Sequence, residues 1–239
     1  MDRLRILLII PAYNEEENIL EVYRHCQSRK EILDAIVVND GSGDNTLNIL
    51  RENRIPHINL IQNVGIGGAV QTGYKYAYRE GYDIAVQFDG DGQHNIEYVE
   101  KLIAPLLEKQ ADMVIGSRFV DKNVQGFKSS RSRRTGIKII SGLIKWCTGS
   151  RITDPTSGFR AVNRTAMRKF VEYYPIEYPE PDSVVGLLTE GLRVKEEPVV
   201  MNERSKGRSS IHSWKNVYYM INVCLSIILT SVSGRRTKI

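Results

Sequence analysis

Short apolar runs alternate with helix-like stretches along the first half of the chain, and this alternation constrains the fold more than any other feature. The predicted strands cover 5–10, 35–39, 58–62, 84–88 and 113–116, and the predicted helices between them cover 15–27, 45–53, 69–79 and 96–107. Such a pattern favours a mainly parallel sheet with helices on both faces. The sequence therefore predicts an α/β fold in which ligands bind beyond the carboxyl ends of the strands.

The alternation breaks after Arg118. A basic, serine-containing stretch over 121–135 buries little apolar surface, so we expect a mobile loop there. The elements predicted beyond this loop are a helix through Trp146, a turn at 154–158, a strand at 159–162, a helix around 183–192 and a strand at 193–201.

Polar or glycine-rich turns follow three of the predicted strands, at 11–15, 40–44 and 89–93. Because parallel strands end at the same edge of a sheet, the three turns should lie together. The third turn holds Asp89 and Asp91, whose carboxylates suit Mg²⁺ or Mn²⁺. A solvated acidic turn is the simplest alternative. An EF-hand is excluded because its required glycine is replaced by His94 and because a strand, not a helix, enters the turn.

Composition predicts one domain over residues 1–213, followed by a tail over residues 214–239. The chain has 239 residues, 41% of them hydrophobic, which is enough for a substantial core. The net charge of +5 is concentrated in two basic clusters, around 122–138 and 204–215, which suit either solvent or an anionic partner. No nucleic-acid recognition motif accompanies them, so nucleic acid is not expected as a partner.

Cysteine usage predicts reduced thiols in the cytosol, because the three cysteines are widely spaced and odd in number. The apolar run at 6–10 is too short for a signal peptide and ends at Pro11, so it is interpreted as a buried strand.

The tail from 217 to 232 is apolar but shorter than the roughly 20 residues that span a bilayer. As a helix it would carry a thin polar stripe of Asn222, Ser226 and Thr230, followed by the basic cluster at 235–238. An interfacial membrane anchor explains both features. A helix docked on its own domain, or on a second subunit in an oligomer, explains the apolar residues equally well.

Seven motifs in one order resemble the inverting family 2 glycosyltransferases of GT-A fold, and among them the polyprenyl-phosphate sugar transferases. They cover residues 4 to 210 and stand at 9–15, 38–46, 63–69, 89–93, 116–118, 154–160 and 204–209. The resemblance implies a metal-dependent transfer of a sugar, with inversion, from a nucleotide to a polyprenyl phosphate or lipid-linked glycan. UDP is favoured only because it is frequent in the family.

The resemblance also implies roles for individual residues on the donor side. The metal ligands would be Asp89, Asp91 and Gln93, with Asp91 the main catalytic ligand. The donor-binding residues would be Pro11, Ala12, Tyr13, Glu15, Asp40, Ser42, Gly68, Asp89, Gly90 and Asp91. Asp40 would accept a hydrogen bond from the base. The glycine-rich segment 65–68 is either a phosphate-binding loop or a simple helix start.

On the acceptor side, the resemblance implies a cationic clamp for a lipid phosphate, formed by Arg118, Arg134 and Arg204 with Ser209 assisting. Arg131 is an alternative to Arg134. An anionic phosphate needs no general base, whereas a sugar hydroxyl would need a carboxylate to take its proton. Asp154 and Asp182 are the carboxylates considered for that second case.

Many polyprenyl-phosphate transferases carry clear transmembrane helices after the catalytic domain. This sequence differs from them, because it offers only one short apolar segment there, at 217–232. Two alternatives therefore stay open: a soluble transferase acting on a sugar hydroxyl, and a noncatalytic subunit that binds nucleotide sugars. The main interpretation remains an enzyme at the cytoplasmic face of the cell membrane.

Overall fold

The computed structural model describes residues 4–121, 131–202 and 215–236. Its centre is a seven-stranded sheet with the strand order β3-β2-β1-β4-β6-β5-β7. The strands are β1 (Ile6–Ala12), β2 (Asp34–Asn39), β3 (His57–Asn59), β4 (Ile84–Gln87), β5 (Met113–Ser117), β6 (Arg160–Asn163) and β7 (Val194–Pro198).

Eight helices are seen within the described ranges, and a 3₁₀ turn at Ile96–Tyr98 leads into the fourth. They are α1 (Ile19–Gln27), α2 (Thr46–Glu52), α3 (Gly65–Arg79), α4 (Val99–Leu107), α5 (Arg131–Thr148), α6 (Arg164–Glu172), α7 (Pro179–Thr189) and α8 (Lys215–Arg236).

The sheet is mainly parallel, as the sequence predicts. β1 pairs in parallel with both β2 and β4, and β5 pairs in parallel with β7. β6 is the exception, because it runs antiparallel to both β4 and β5. Since the chain winds outward from β1 through β2 to β3 and then returns to β4 on the other side, the strand order reverses between β1 and β4. Ligands bind at such a reversal in open α/β sheets.

Two apolar layers cover the two faces of the sheet. One contains side chains of α1 and α4, such as Val22 and Leu102. The other contains side chains of α3, α5, α7 and α8, including Ile144 and Val223. Successive residues of β1 alternate between the layers, with Leu8 in the first and Leu7 in the second. This period-two alternation is what a strand buried on both faces requires.

Several boundaries differ from the sequence predictions. Arg131 to Thr135 belong to α5, so the predicted loop over 121–135 is wrong in this part, and 122–130 lie outside the described residues. α3 begins at Gly65, four residues before its predicted start, and α7 begins at Pro179 instead of near 183. Proline is tolerated in the first helical turn because its missing N–H would have no partner there.

The predicted tail is a helix that docks on its own domain. α8 packs against α7 and α5 and buries Val223 and Ile227 in the second apolar layer. Within the described ranges, no helix combines the length and the apolar character needed to cross a membrane. The apolar C-terminal helix expected from the sequence is therefore present without being a membrane span.

Candidate active site

A cleft of about 390 Å³ opens at the carboxyl ends of β1 and β4, where the strand order reverses. It is lined by Pro11, Ala12, Tyr13, Glu15, Asp40, Asn63, Gly65, Ile66, Ala69, Asp89, Gly90 and Asp91. Eight of the ten residues predicted to bind a donor therefore lie on one cleft. The sequence argument that the three polar turns share an edge of the sheet is confirmed by this arrangement.

Ser42 has a different place from the one expected of a donor contact. Its Oγ accepts the backbone N–H of Asn14 (3.0 Å) and donates to Oδ1 of Asn39. Asn14 in turn accepts the backbone N–H of Gly43 through Oδ1 (2.8 Å). Ser42 thus connects the turn after β1 to the turn after β2 by hydrogen bonds, and it supports the cleft wall without lining the cleft.

Asp40 is buried at the floor of the cleft and is already anchored by the protein. Its Oδ1 accepts the backbone N–H of Val64 (2.8 Å), the residue immediately before α3. A carboxylate at a helix N-terminus is stabilised both by this bond and by the helix dipole. One carboxylate oxygen of Asp40 is therefore committed to fixing α3, and any contact to a base falls to the other.

The glycine-rich segment 65–68 is the first turn of α3, so it does start a helix, and phosphate binding by its backbone stays a prediction. Gly65 has φ of +82°, a conformation that favours glycine, and it lines the cleft. Gly68 does not line it, because an added Cβ there would lie 2.6 Å from the Val64 side chain. The backbone at the start of α3, and not Gly68 itself, faces the cleft.

The turn after β4 presents two carboxylates to the cleft. Asp91 accepts the backbone N–H of Gln93 through Oδ1 (3.0 Å), and the Gln93 carbonyl accepts the N–H of Asn202 (2.9 Å). The Asp89 side chain is 34% exposed, and the amide of Gln87 approaches its Oδ1 at 3.4 Å. Gln93 is half-buried beside them. Both aspartates thus reach solvent, while two hydrogen bonds, Asp91 to Gln93 and Gln93 to Asn202, hold their turn in place.

His94 supports Asp89 from the protein side, and sequence reasoning did not assign it a role. Its Nδ1 accepts the backbone N–H of Asp89 (3.0 Å), which leaves the ring proton on Nε2, 3.5 Å from Asp89 Oδ2. The ring stacks on Phe159 at a centroid distance of 4.7 Å. Burial lowers the pKa of His94, so the ring is held neutral.

These residues fit a divalent cation that keeps several external ligands. Carboxylate oxygens suit Mg²⁺ or Mn²⁺, and such ions are commonly held by one or two carboxylates together with water and substrate phosphates. Across the described ranges no group of three or more His, Cys, Asp or Glu side chains could hold a metal by itself. Asp89 and Asp91 therefore provide part of a site that a diphosphate can complete.

The turn at 154–158 packs directly against Asp89. A Cβ added at Gly158 would lie 2.7 Å from Asp89 Oδ2, so only glycine allows this approach. Arg160, fully buried, fastens the same turn: its guanidinium donates to the carbonyls of Pro155 (2.8 Å) and Ser157 (2.6 Å). A third bond, to the carbonyl of Glu180 (2.7 Å), joins the turn to α7.

Arg118 and Asp154 form a bidentate ion pair next to this turn. The guanidinium donates Nε to Oδ2 (2.7 Å) and Nη2 to Oδ1 (2.8 Å), and the backbone N–H of Arg118 also donates to Oδ2 (3.1 Å). The Asp154 side chain is 0% exposed. Both oxygens of Asp154 are therefore engaged by Arg118, and this geometry does not favour the catalytic-base role considered from the sequence.

Asp182 is not brought to the cleft. It lies on α7 and accepts a hydrogen bond from Ser226 of α8, and burial raises its pKa to about 6. A carboxyl group that does lie near the turn after β4 is Glu180. Burial raises the pKa of Glu180, Arg160 opposes this, and the negative charge of Asp89 raises it further. Glu180 is therefore within electrostatic range of Asp89.

The predicted acceptor clamp is described only in part. Arg118 lies close enough to the turn after β4 that its charge contributes to lowering the pKa of His94. Arg134 is exposed near the start of α5. Arg204 and Ser209 lie outside the described residues, and so does the side chain of Arg131.

The structure adds residues that sequence reasoning missed. Asn63, Ile66 and Ala69 line the cleft because α3 begins earlier than predicted. The Asn63 motif was visible in the sequence and could have marked this wall. His94 and Glu180 gave no such signal, because their roles depend on contacts with Asp89 and Arg160 that only the tertiary fold creates.

Comparison with known proteins finds a matching family and named relatives. The model of the family described as "Glycosyl transferase family 2" matches residues 7–171. UDP-N-acetylglucosamine–dolichyl-phosphate N-acetylglucosaminyltransferase of Methanococcus voltae is 37% identical over 185 residues, which is 70% of this chain and 72% of the relative. Polyprenol monophosphomannose synthase of Mycolicibacterium smegmatis is 28% identical over 87% of this chain and 81% of its own.

Among solved structures, glucosyl-3-phosphoglycerate synthase from Mycobacterium tuberculosis, crystallised with Mn²⁺, UDP-glucose and phosphoglyceric acid, shares the fold. The TM-score is 0.70 at 17% identity, covering 95% of this chain and 79% of that one. The expected GT-A architecture is thereby confirmed. Because the family model matches more than half of the chain and the Methanococcus relative exceeds 30% identity over most of its own length, the chain belongs to glycosyl transferase family 2.

Proposed function

We propose that this enzyme transfers a sugar, with inversion, from a nucleoside diphosphate sugar to a polyprenyl phosphate at the cytoplasmic face of the membrane, using Mg²⁺ or Mn²⁺. The observation that carries the proposal is where the fold places the carboxylates. Asp89 and Asp91 line the cleft beside the first two turns, whereas Asp154 is buried in an ion pair with Arg118 and Asp182 faces α8. This placement supports metal binding in the cleft, and it does not support Asp154 or Asp182 as a catalytic base.

The donor's nucleoside would lie against the first two turns. Pro11, Ala12 and Tyr13 offer an apolar and aromatic wall, and the remaining oxygen of Asp40 can accept an N–H of the base. Tyr13 is half-exposed and can cover the nucleotide. We favour UDP because the Methanococcus relative is named for a UDP-sugar and the mycobacterial structure holds UDP-glucose.

The diphosphate would reach the turn after β4, where Asp89, Asp91 and the amide of Gln93 provide oxygen ligands. A bound Mg²⁺ or Mn²⁺ there supplies charge neutralisation for a departing diphosphate. Similar folds have been crystallised with Mn²⁺ and with Mg²⁺. The protein's own contribution is to hold the two carboxylates at a fixed separation through His94, Gly158 and the pinned turn.

The acceptor would approach from the side of Arg118. A phosphate is already anionic and needs positioning by cations, not deprotonation. Asp154 holds the Arg118 guanidinium in one orientation through two hydrogen bonds. Both curated relatives described above are named for transfer to, or synthesis of, a polyprenol-linked phosphate sugar.

Glu180 supports a second candidate, a transferase that acts on a sugar hydroxyl. It is a carboxyl group near Asp89, and burial together with the negative charge of Asp89 raises its pKa, which makes it a stronger base than an ordinary carboxylate. Substitution by glutamine separates the two functions. Transfer to polyprenyl phosphate should survive Glu180→Gln within several-fold, whereas transfer to a hydroxyl would be lost.

The proposal is tested with radiolabelled nucleotide sugars, Mn²⁺ and a short-chain polyprenyl phosphate. We expect label to enter the organic phase and to be released by mild acid, as a sugar 1-phosphate ester requires. The free polyprenol is the matched control acceptor, and Asp91→Ala is the inactive enzyme control. Label that enters water-soluble glycan, or that reaches polyprenol as readily as its phosphate, would overturn the lipid-phosphate acceptor.

A further inference from the structure

Helix α8 lies with its polar stripe directed toward the rest of the domain, on the side of α7. Ser226 donates a hydrogen bond to the buried Asp182 of α7, and Ser231 is buried. Asn222 and Thr230, the other members of the predicted stripe, are half-buried on the same flank as Ser226. The polar flank of α8 is thus directed toward α7 through Ser226, while Val223 and Ile227 pack into the core.

The exposed side chains of α8 are apolar from 221 to 232, and the exposed Ser233 follows them. These apolar side chains are Ile221, Leu225, Leu229 and Val232, spaced three or four residues apart, and Leu225 and Leu229 are 53% and 67% exposed. No charged residue lies in the helix sequence between Lys215 and Arg235. Single exposed leucines are ordinary on protein surfaces, but a continuous apolar stripe marks an interaction site.

Helix α5 extends the same surface. It packs beside α8, with Gly136 so close to Met220 that an added Cβ would lie 3.2 Å from the sulfur. The inner faces of both helices bury side chains in one apolar layer, so their outer faces point away from it together. On α5 that outer face presents Ile139 and Trp146, the latter 77% exposed.

The positive charge of α5 and α8 indicates which kind of partner covers this surface. The sequences of α5 and α8 contain eight Lys or Arg residues and no Asp or Glu. Three of these cations, Arg134, Lys138 and Lys145, are exposed on α5. An apolar stripe bordered by cations, with a tryptophan at one end, matches the boundary between anionic headgroups and acyl chains.

We propose that the outer faces of α5 and α8, defined by Ile139, Trp146, Ile221, Leu225, Leu229 and Val232, form a docking surface for an anionic lipid bilayer. The helices lie on the bilayer and do not cross it. This surface goes beyond the proposed function, because it requires neither the metal site nor a particular sugar.

The test is flotation of the full-length protein with vesicles of phosphatidylglycerol and phosphatidylcholine. The variant Leu225→Ser with Leu229→Ser should lower the vesicle partition coefficient at least tenfold. The matched control is Leu107→Ser with Ile32→Ser, two residues 48% and 41% exposed on the opposite side of the sheet. The control should bind vesicles as the parent does.

Two further measurements specify the surface. Trp146 should shift its emission to shorter wavelength when vesicles are added, and Trp146→Phe should remove this shift. Pure phosphatidylcholine vesicles, or high salt, should weaken binding, because the cations then lack their counterpart. Equal vesicle binding by parent and Leu225→Ser/Leu229→Ser would overturn the proposal. So would a parent dimer that the double variant converts to a monomer in light scattering without loss of vesicle binding.

Transfer to a water-soluble short-chain polyprenyl phosphate is measured alongside. The double variant should retain this activity, since its substitutions lie away from the cleft. If vesicle binding behaves as expected but no transfer occurs, the proposed function fails and the docking surface stands. If transfer occurs but vesicle binding is insensitive to the stripe, the docking surface fails and the function stands.

Discussion

Asp89 and Asp154 lie on adjoining turns of the same molecule, yet their surroundings differ in kind. The Asp89 side chain is 34% exposed, with one histidine beside it, and opens into the donor cleft. The Asp154 side chain is 0% exposed and receives three hydrogen bonds from Arg118. The comparison teaches that an acid near an active site is available for chemistry only if the fold leaves its oxygens free.

The same reasoning applies on each side of the reaction. On the proposed donor side, Asp89 and Asp91 line the cleft where we propose that a cation and a diphosphate bind. On the proposed acceptor side, Asp154 is paired with Arg118 and holds its guanidinium in one orientation.

Removing Asp91 tests the open carboxylate and should have the largest effect. Asp91→Ala should lower transfer about 10³-fold, because the turn loses a metal ligand on which charge neutralisation depends. Isothermal titration of UDP with and without Mn²⁺ should show that the metal-dependent part of binding is lost. The surface variant Glu52→Gln is the control. Unchanged Mn²⁺-dependent binding in Asp91→Ala would remove Asp91 from the metal site.

Neutralising Asp154 tests the occupied carboxylate. Asp154→Asn should destabilise the protein by ~3–5 kcal/mol, because Arg118 is left without its buried counter-charge. Urea unfolding measures this loss directly. At temperatures where the variant is folded, Mn²⁺-dependent UDP binding should remain near that of the parent. A stable variant that loses nucleotide binding would place Asp154 on the donor side and erase the contrast.

Replacing His94 tests how the open site is supported. His94→Phe keeps the stacking on Phe159 but removes both contacts to Asp89, and it should weaken Mn²⁺ binding ~10–100-fold. Electron paramagnetic resonance of free Mn²⁺ gives the affinity without turnover. His94→Asn, which can still accept the Asp89 backbone N–H, should recover part of the loss. Equal Mn²⁺ affinities in parent and His94→Phe would show that the turn holds Asp89 unaided.

The smallest expected effect concerns Asp182, a buried acid with a single protein hydrogen bond. Its folded pKa of about 6 exceeds the ordinary 3.8, so the folded state binds its proton more tightly than the unfolded state does. The resulting stability is present below about pH 4 and is lost as the pH rises through 6. Asp182→Asn should flatten the melting temperature between pH 4 and 6. A parent and variant with parallel profiles would contradict the raised pKa.

The donor side was predictable because its signal is local. Pro11, Asp40 and Asp89 each follow an apolar run, and strand ends in a parallel sheet converge. Eight predicted contacts therefore lie on one cleft without any knowledge of side-chain geometry. The resemblance to a family added their roles.

The acceptor side and the tail were less predictable because their meaning depends on long-range partners. Asp154 carries the same motif whether its oxygens are free or engaged, and the pairing with Arg118 spans 36 residues. The polar stripe of α8 was visible in the sequence, but its direction was not, because that depends on Asp182, 44 residues before Ser226.

The buried guanidinium of Arg160 affects which segments of the molecule unfold locally together. Its acceptors come from two segments, the carbonyls of Pro155 and Ser157 and, further along, the carbonyl of Glu180. Separating either segment would leave a desolvated charge unsatisfied. The 154–158 turn and the start of α7 should therefore exchange their amide hydrogens as one cooperative unit, slower than the surface loops around them.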